Sequence, residues 1–120
     1  MHELVSRFKA LGDETRFKIF LLLSEHNVCV KGLAEILHIS ESAVSQHLKV
    51  LRNAGLVKGE KIGYFVHYMV QRDVLGEIEA IIGGLAEGTA DMQELKKSLD
   101  IDIAACTKVC QRESGFCGGE

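Results

Sequence analysis

The chain has 120 residues, of which 47% are hydrophobic and 26% charged, so its composition is that of a folded globular domain and not of a disordered chain. The formal net charge of −3 excludes a protein that is basic over its whole surface. No apolar run is long enough to span a bilayer, and charged residues recur from the start of the chain, so we expect a cytoplasmic protein without a membrane partner.

Charges and cysteines are unevenly distributed along the chain. Residues 1–86 carry ten basic and ten acidic side chains, whereas residues 87–120 carry four basic and seven acidic ones. Three of the four cysteines also lie near the C-terminal end. In a reducing compartment, cysteines are more often free thiols, metal ligands or redox centres than members of a disulfide scaffold.

Two amphipathic helices are predicted at the start of the chain. The first helix places four apolar residues at helical spacing, namely Leu4, Val5, Phe8 and Leu11. Gly12 can end this helix, and Asp13 is a suitable N-cap for a second helix that continues to about His26. The second helix is expected to bury Phe17, Phe20, Leu21 and Leu22.

A short third helix is predicted from about Lys31 to His38, and a fourth begins almost at once. Ser40 is a suitable N-cap for the fourth helix, which is expected to end at Gly55 because glycine adopts the left-handed conformation that terminates helices. Two helices joined by so short a turn are typical of a helix-turn-helix.

After Gly55 the sequence pattern changes from helical to extended. The runs LVKGEK and YFVHYMV flank Ile62-Gly63 and predict a β-hairpin. From Asp73 a helical stripe returns and is expected to end at Gly88; its apolar members are Val74, Ile78, Ile81, Ile82 and Leu85. A shorter helical pattern covers residues 91–99. We therefore predict a mainly α fold with one β-hairpin, divided into a domain over residues 1–88 and a tail over residues 89–120.

The predicted fourth helix has two contrasting faces at about 100° per residue. Val44, Leu48 and Leu51 form an apolar stripe. The opposite face has hydroxyls, amides and one cation, from Ser42, Ser45, Gln46, Lys49 and Asn53. Such groups suit base edges and phosphates in a DNA major groove. Arg52 lies at the flank of this face, where it could reach a DNA phosphate. Lys58 and Lys61 lie near the hairpin tip and could reach the neighbouring DNA backbone. The alternative is an ordinary solvated helix face beside a structural hairpin.

Three stretches of the sequence resemble the ArsR/SmtB family of bacterial repressors: GDETRFKIFLLL, LAEILHISESAVSQHLKVLRNAGLV and GEKIGYFVHY. The motif S-x-x-S-x-H-L-x-x-L-x-x-A-G-L-V is matched from Ser42 to Val57, and the resemblance covers about residues 3–87. It implies a homodimeric winged helix-turn-helix that binds double-stranded operator DNA until an inducer binds. It also implies that the first helix and the helix after the hairpin form the dimer contact. No Cys-His-Asp arrangement is visible in the sequence, so we do not expect an enzyme.

The inducer sites that the resemblance implies match this chain only in part. Arsenic- and cadmium-type members have a C-V-C motif, of which Cys29 and Val30 are retained while Lys31 replaces the second cysteine. Judged by its two Val neighbours alone, Cys29 also fits a small buried apolar residue. Zinc-type members use Asp and His on the helix after the hairpin, and residues 73–88 contain no His.

The tail offers another set of thiols. Cys106 and Cys110 are four residues apart, so on a helix both would lie on one face, and Cys117 lies among glycines that allow it to fold back. Three sulfurs favour a thiophilic centre, and As(III) or Sb(III) fits best. Adding Cys29 would give four sulfurs, which suit Cd(II), Pb(II) or Zn(II). An inert tail is the alternative.

The leading hypothesis is a metalloid-responsive repressor that binds operator DNA as an apo dimer and is released when As(III) or Sb(III), or a soft metal ion such as Cd(II), binds the cysteines. A second hypothesis keeps the fold but makes the thiols a redox or persulfide switch. A third, a thiol enzyme or metal carrier, predicts no specific DNA affinity.

Overall fold

The computed structural model describes residues 2–102, which form a mainly helical fold with one β-hairpin. The elements are α1 (His2–Leu11), α2 (Glu14–Glu25), α3 (Val30–Leu37), α4 (Glu41–Asn53), β1 (Val57–Ile62), β2 (Phe65–Val70), α5 (Arg72–Glu87) and α6 (Met92–Ser98). Their order confirms the predicted helix-turn-helix, in α3 and α4, followed by a hairpin wing.

Local capping interactions fix the ends of α2 and α4. The backbone N–H of Arg16 donates to the Asp13 carboxylate at 3.0 Å, and that of Ala43 donates to the Ser40 hydroxyl at 3.0 Å. Gly55, just after α4, has a φ of 78°, which glycine adopts without strain. The three predicted helix boundaries are therefore confirmed.

The turn between α3 and α4 depends on a residue that the sequence pattern placed at the end of a helix. His38 has φ 57° and ψ 43°, and as the C-cap of α3 it lies in the left-handed region. This conformation costs a non-glycine residue about 1 kcal/mol. The backbone N–H of Ile39 then donates to the carbonyl of Ala34 at 3.1 Å, which closes the turn. The strained residue lets α4 start only a few residues after α3 ends.

The hydrophobic core lies among α2, α3, α4 and the base of the wing. Its largest fully buried side chains are Ile19, Leu33, Val44, Leu48, Leu51, Leu56 and Val57. The predicted apolar stripe of α4 is thus confirmed. The backbone N–H of Gln71, just after β2, donates to the carbonyl of Leu56, just before β1, at 2.8 Å. This hydrogen bond closes the base of the wing.

The prediction that α2 buries Phe17 and Leu21 is wrong, since these side chains are 44% and 50% exposed. The buried residues of α2 are Ile19, Phe20 and Leu23. Phe17 and Leu21 lie one turn apart on the neighbouring side of the helix. Among residues 2–102, the core covers one face of α2 and leaves this second apolar face exposed.

The wing is an antiparallel pair with a short turn at its tip. The register runs from Val57 opposite Val70 at the base to Ile62 opposite Phe65 at the end. Gly63, with a φ of 65°, begins the turn, so the predicted turn at Ile62-Gly63 was placed one residue too early. A Cβ on Gly59 would lie 3.2 Å from the Tyr68 ring, so glycine lets this ring lie against the opposite strand.

The last two helices extend beyond the core. Helix α5 has 16 residues and none is buried, although Val74, Leu75 and Ile78 pack partly against the core. Ile82 and Leu85, in its second half, are each 46% exposed. The helix ends at Gly88, as predicted, with a φ of 75°. Within residues 2–102, no helix combines the length and apolar character that a membrane span requires.

Candidate nucleic-acid interface

Helix α4 presents its polar side to solvent because its apolar stripe fixes the rotation of the helix. Val44, Leu48 and Leu51 are 0%, 1% and 0% exposed. The six polar residues predicted to face DNA are all exposed, namely Ser42, Ser45, Gln46, Lys49, Arg52 and Asn53. The structure therefore leaves open to solvent the residues that the sequence grouped by angle, together with Arg52 at their flank. Their individual contacts with DNA stay predictions.

Asn53 occupies a different setting from the other five residues. It lies at the end of α4 beside a groove between α1 and α4, which Ser6, Lys9 and Arg16 also line. The guanidinium Nε of Arg16 donates to the carbonyl of Ala10 at 2.8 Å, so part of the positive charge in this groove is held by the end of α1. Asn53 is thus at the margin of the surface, whereas Gln46 and Lys49 are in the middle of the helix.

His47 is half-buried, as expected for a residue nearer the core side of α4. The pKa of the Asp13 carboxyl lies below its usual value, first because this group accepts a hydrogen bond from the backbone N–H of Arg16. The nearby Arg16 and His47 side chains contribute to the same decrease in the Asp13 pKa. The half-burial of His47 agrees with the expectation that it does not read bases.

The two lysines of the wing lie at different distances from its tip. Lys61 is opposite Val66, near the tip, whereas Lys58 is opposite Met69, one pair from the base. The prediction that both lie near the tip is therefore wrong for Lys58. The two residues are three positions apart in one strand, so they lie on opposite faces of the wing. Both are exposed.

The wing tip has an apolar character that the sequence analysis missed. Ile62, Tyr64 and Phe65 are 55%, 99% and 65% exposed. A signal was available in the sequence, because an isolated two-stranded hairpin cannot bury both of its faces. Some of the large apolar residues around the turn of the hairpin must therefore be exposed.

The structure describes one of the four candidate thiols. Cys29 is exposed and is the N-cap of α3, where its Sγ accepts a hydrogen bond from the backbone N–H of Gly32 at 3.4 Å. The interpretation of Cys29 as a buried apolar residue is therefore wrong. Across residues 2–102, no three potential metal ligands cluster. Cys106, Cys110 and Cys117 lie outside the described residues, so the proposed three- and four-sulfur sites stay predictions.

Comparison with known proteins identifies the family. A family model described as bacterial regulatory protein, arsR family, matches residues 13–58, which span α2 to the start of β1. The chain is 46% identical over 65 residues to the arsenical resistance operon repressor of Escherichia coli, covering 53% of this chain and 56% of that protein. It is 37% identical over 79 residues to a helix-turn-helix transcriptional regulator of Methanocaldococcus jannaschii, covering 65% and 89%.

The fold agrees with that of solved regulators. The structure of an ArsR-like transcriptional regulator from a Rhodococcus species matches with a TM-score of 0.66 and 29% identity, over 90% of this chain and 92% of that one. The chain spans between 51% and 66% of the length of the first curated relatives that it matches. These relatives are transcriptional regulators and not enzymes. The winged helix-turn-helix, its motif and these likenesses together show that the chain belongs to the ArsR family of bacterial regulatory proteins.

Proposed function

We propose that this chain is a transcriptional repressor that binds operator DNA as a homodimer in the cytoplasm and is released by a thiophilic metalloid or metal ion. The observation that carries the proposal is the exposed polar face of α4. It offers hydroxyl, amide and cationic groups on the second helix of a helix-turn-helix, the element that enters the major groove in such proteins.

The proposed contacts with DNA are of two kinds, to base edges and to phosphates. Gln46 can form paired hydrogen bonds with a base edge, and Ser42 and Ser45 can bond to bases or phosphates. Lys49 and Arg52 supply charge for phosphates, and Asn53 adds an amide at the margin. From the wing, Lys61 near the tip would contact a neighbouring phosphate, and Lys58 would contribute from nearer the base. Phosphate contacts would set the affinity and the salt dependence, whereas Gln46 would set sequence preference.

Apolar surface on α1 and α5 supports a homodimer. The Arg7 guanidinium contacts the Glu77 carboxylate at 2.9 Å, and Leu4 and Ile81 line one depression, so the two helices approach each other at these residues. Val5 and Phe8 on α1 are 36% and 42% exposed, and Ile82 and Leu85 on α5 are 46% exposed. A second copy would cover these residues from both helices. The dimer would present two α4 helices about 34 Å apart, one turn of DNA.

For the inducer, we propose the thiolates of Cys106, Cys110 and Cys117, with Cys29 as a fourth ligand for larger soft ions. Three sulfurs suit As(III) or Sb(III), and four suit Cd(II), Pb(II) or Zn(II). The name of the Escherichia coli relative, an arsenical resistance repressor, favours the metalloid. The exposed Sγ of Cys29 at the start of α3 is accessible to an ion, which supports its optional role.

Inducer binding would release DNA through a movement of α5. The proposed tail site follows α6, and α5 and α6 are joined at Gly88. An ion that draws the tail against the dimer contact would rotate α5 and change the separation of the two α4 helices. Coupling free energies of about 1–3 kcal/mol lower DNA affinity roughly 5- to 150-fold, enough for derepression.

The test is a titration of a protein–operator complex under reducing conditions with arsenite, antimonite, Cd(II) and Zn(II), and separately with a disulfide oxidant. Arsenite should release DNA from the parent protein without oxidation of its thiols. The double variant Cys106→Ser/Cys110→Ser should bind DNA with parental affinity and stay bound. Cys29→Ser is the matched control, since it leaves the three tail sulfurs in place and should still respond to arsenite.

Each other outcome contradicts a defined part of the proposal. If the double variant releases DNA at the parental arsenite concentration, the tail site is wrong. If only the oxidant releases DNA, the thiols form a redox switch. If the parent protein shows no preference for any duplex over random DNA, the repressor function itself fails.

A further inference from the structure

The chain that follows α5 turns back against this helix, and two small residues allow the close approach. A Cβ on Gly84 would lie 3.4 Å from both the Cα and the Cβ of Ala90. The backbone N–H groups of Thr89 and Ala90 donate to the carbonyl of Gly84 at 2.9 and 3.1 Å. These contacts fix the start of α6 beside the second half of α5.

The two helices border a cleft of about 320 Å³ with mainly apolar walls. The apolar side chains that line it are Ala80, Ile81, Ala90 and Leu95. Ligand pockets in proteins typically have volumes of about 300–1,000 Å³, so this cleft suits a small molecule. The glycine at position 84 and the alanines at positions 80 and 90 leave open the space that longer side chains would fill.

The charged side chains that line the cleft, among the described residues, are both acidic: Asp91 and Glu94. One carboxylate oxygen of Asp91 caps α6, since it accepts from the backbone N–H of Glu94 at 3.1 Å. Within residues 2–102, the Glu94 carboxylate takes part in no ion pair and no hydrogen bond. Lys96 and Lys97 lie in the last turn of α6 and do not line the cleft. The cleft thus carries two negative charges that its described walls do not balance.

The carbonyl end of α5 adds to the negative potential at the cleft. This end of a helix has a partial negative charge and favours nearby cations. The last turn of α5 has no basic residue to balance that charge. Helix α5 ends at Gly88, and the next residue, Thr89, lines the cleft. Apolar walls beside unbalanced negative charge favour an occupant that is both apolar and cationic.

The cleft lies on a different side of α5 from the apolar residues that the proposed homodimer would bury. At about 100° per residue, Ala80 and Gly84 lie roughly 150° around the helix from Ile82 and Leu85. A second copy that covers Ile82 and Leu85 would therefore leave the cleft accessible to a small molecule.

We propose that the cleft between α5 and α6 binds a small organic cation. The apolar body of this ligand would contact Ala80, Ile81 and Leu95, and its ammonium group would lie beside Asp91 and Glu94. An anion of the same shape would be repelled by both carboxylates. The site shares no residue with the polar face of α4 or with the proposed thiol site, so its ligand need not be the inducer.

The test is a titration of the full-length protein with benzylamine, which has a single ring and is a cation at neutral pH. Two-dimensional NMR follows the backbone amides, and benzyl alcohol and benzoate serve as neutral and anionic comparison ligands. We expect benzylamine to shift the amides of Gly84, Ala90 and Leu95 to saturation. Its dissociation constant should be on the order of 1 mM, as expected for about eight non-hydrogen atoms. Benzyl alcohol should bind about fivefold more weakly, and benzoate should not saturate the site.

Two charge variants test the role of the carboxylates. Glu94→Gln should weaken benzylamine binding about fivefold, the factor that one charge pair about 4 Å apart contributes in water, and leave benzyl alcohol unaffected. Asp91→Asn keeps a side chain that caps helices, so it should lower the affinity for benzylamine without loosening α6. Glu79→Gln is the matched control with parental affinity, because it removes an exposed carboxylate of α5 that does not line the cleft.

A third variant, Ala80→Leu, fills the cleft without changing its charge. Leucine is favourable in helices, so α5 should stay formed, and circular dichroism checks this. Neither benzylamine nor benzyl alcohol should then saturate the site. In the parent protein, added salt should weaken the binding of benzylamine but not that of benzyl alcohol.

The proposal is overturned if benzylamine gives no saturable shifts, or if benzyl alcohol or benzoate binds as tightly. It is also overturned if Glu79→Gln weakens binding as much as Glu94→Gln, because the general surface charge would then explain the attraction. If dilution of the unliganded protein shifts the amides of Gly84 and Ala90, and benzylamine competes with association, the cleft is an interface between copies and the proposal fails. None of these outcomes depends on DNA binding, so they do not bear on the proposed repressor function.

Discussion

Helices α4 and α5 are both amphipathic, but the apolar stripe of α4 is buried, whereas that of α5 contains no fully buried residue. The 13 residues of α4 include three that are buried in the core. The 16 residues of α5 include none. A helical stripe thus indicates that a helix needs an apolar partner, but it does not say whether that partner lies in the same chain. For α4 the partner is the domain itself.

The contrast continues along α5. Its first half packs partly on the core through Val74, Leu75 and Ile78, whereas Ile82 and Leu85 in its second half are exposed. Two polar contacts also connect it to the domain: Arg72 donates to the carbonyl of Ser24 at 3.0 Å, and Glu77 accepts from Arg7 at 2.9 Å. Because the exposed Ile82 and Leu85 lie in its second half, that half of α5 can move without opening the core. This property suits a helix that transmits inducer binding.

The largest expected difference between the two helices is in folding stability. Leu48→Ala removes a 1% exposed side chain from the core, and the free energy of unfolding should fall by about 2–5 kcal/mol. Urea unfolding followed by circular dichroism measures this change. The matched variant is Leu85→Ala on α5, studied at several protein concentrations. An equal loss in both variants, independent of concentration, would contradict the contrast.

The next largest effect is expected on the dissociation constant of the proposed homodimer. The double variant Ile82→Ala/Leu85→Ala should weaken the proposed homodimer by at least about tenfold, which corresponds to about 1.4 kcal/mol. The reason is that these side chains would lose apolar burial only in the dimer. Sedimentation velocity over a dilution series gives the dissociation constant. A parental dissociation constant would show that another surface forms the dimer.

A smaller effect is expected at the two N-caps. The Ser40 hydroxyl accepts from Ala43, whereas Gln71 makes no side-chain capping hydrogen bond at the start of α5. Ser40→Ala should therefore lower the free energy of unfolding by about 1 kcal/mol. Gln71→Ala should change it by less than about 0.5 kcal/mol. Thermal melting of both variants in one buffer makes the comparison, and equal shifts would count against it.

The smallest effect should come from the ion pair between α1 and α5. The Glu77 side chain is 60% exposed, so solvent screens its contact with Arg7. Glu77→Gln should change the free energy of unfolding by less than about 0.5 kcal/mol, and high salt should remove the difference. Urea unfolding at low and high salt tests this. A loss that persists at high salt would mean that α5 is held more firmly than its exposure indicates.

The features that were predictable from the sequence are those that depend on neighbouring residues. Asp13, Ser40 and Gly55 act within one helical turn, so their roles could be inferred from residue type and spacing. The exposed face of α4 followed from its apolar stripe in the same way. Individual DNA contacts and the tail thiols stay predictions, because they depend on partners or on residues beyond 102.

Other features depend on which surfaces meet in three dimensions. Phe17 and Leu21 were expected in the core because periodicity cannot tell how many faces of α2 the domain covers. The left-handed conformation of His38 gave no signal, because histidine is compatible with a helix interior. The exposure of Cys29 likewise depends on the packing around the start of α3 and not on its two Val neighbours.

The corner between α1 and α2 has a consequence for hydrogen exchange. Arg16 donates through its side chain to the carbonyl of Ala10 at the end of α1, while its backbone N–H donates to the Asp13 carboxylate at the start of α2. One residue thus contacts the end of α1 and the start of α2, and the amide of Arg16 should exchange when its bond to Asp13 opens. The amides of Thr89 and Ala90, which donate to Gly84 at the end of α5, report a separate and easier opening. Within residues 2–102, exchange rates should therefore distinguish opening at the α1–α2 corner from opening at the end of α5.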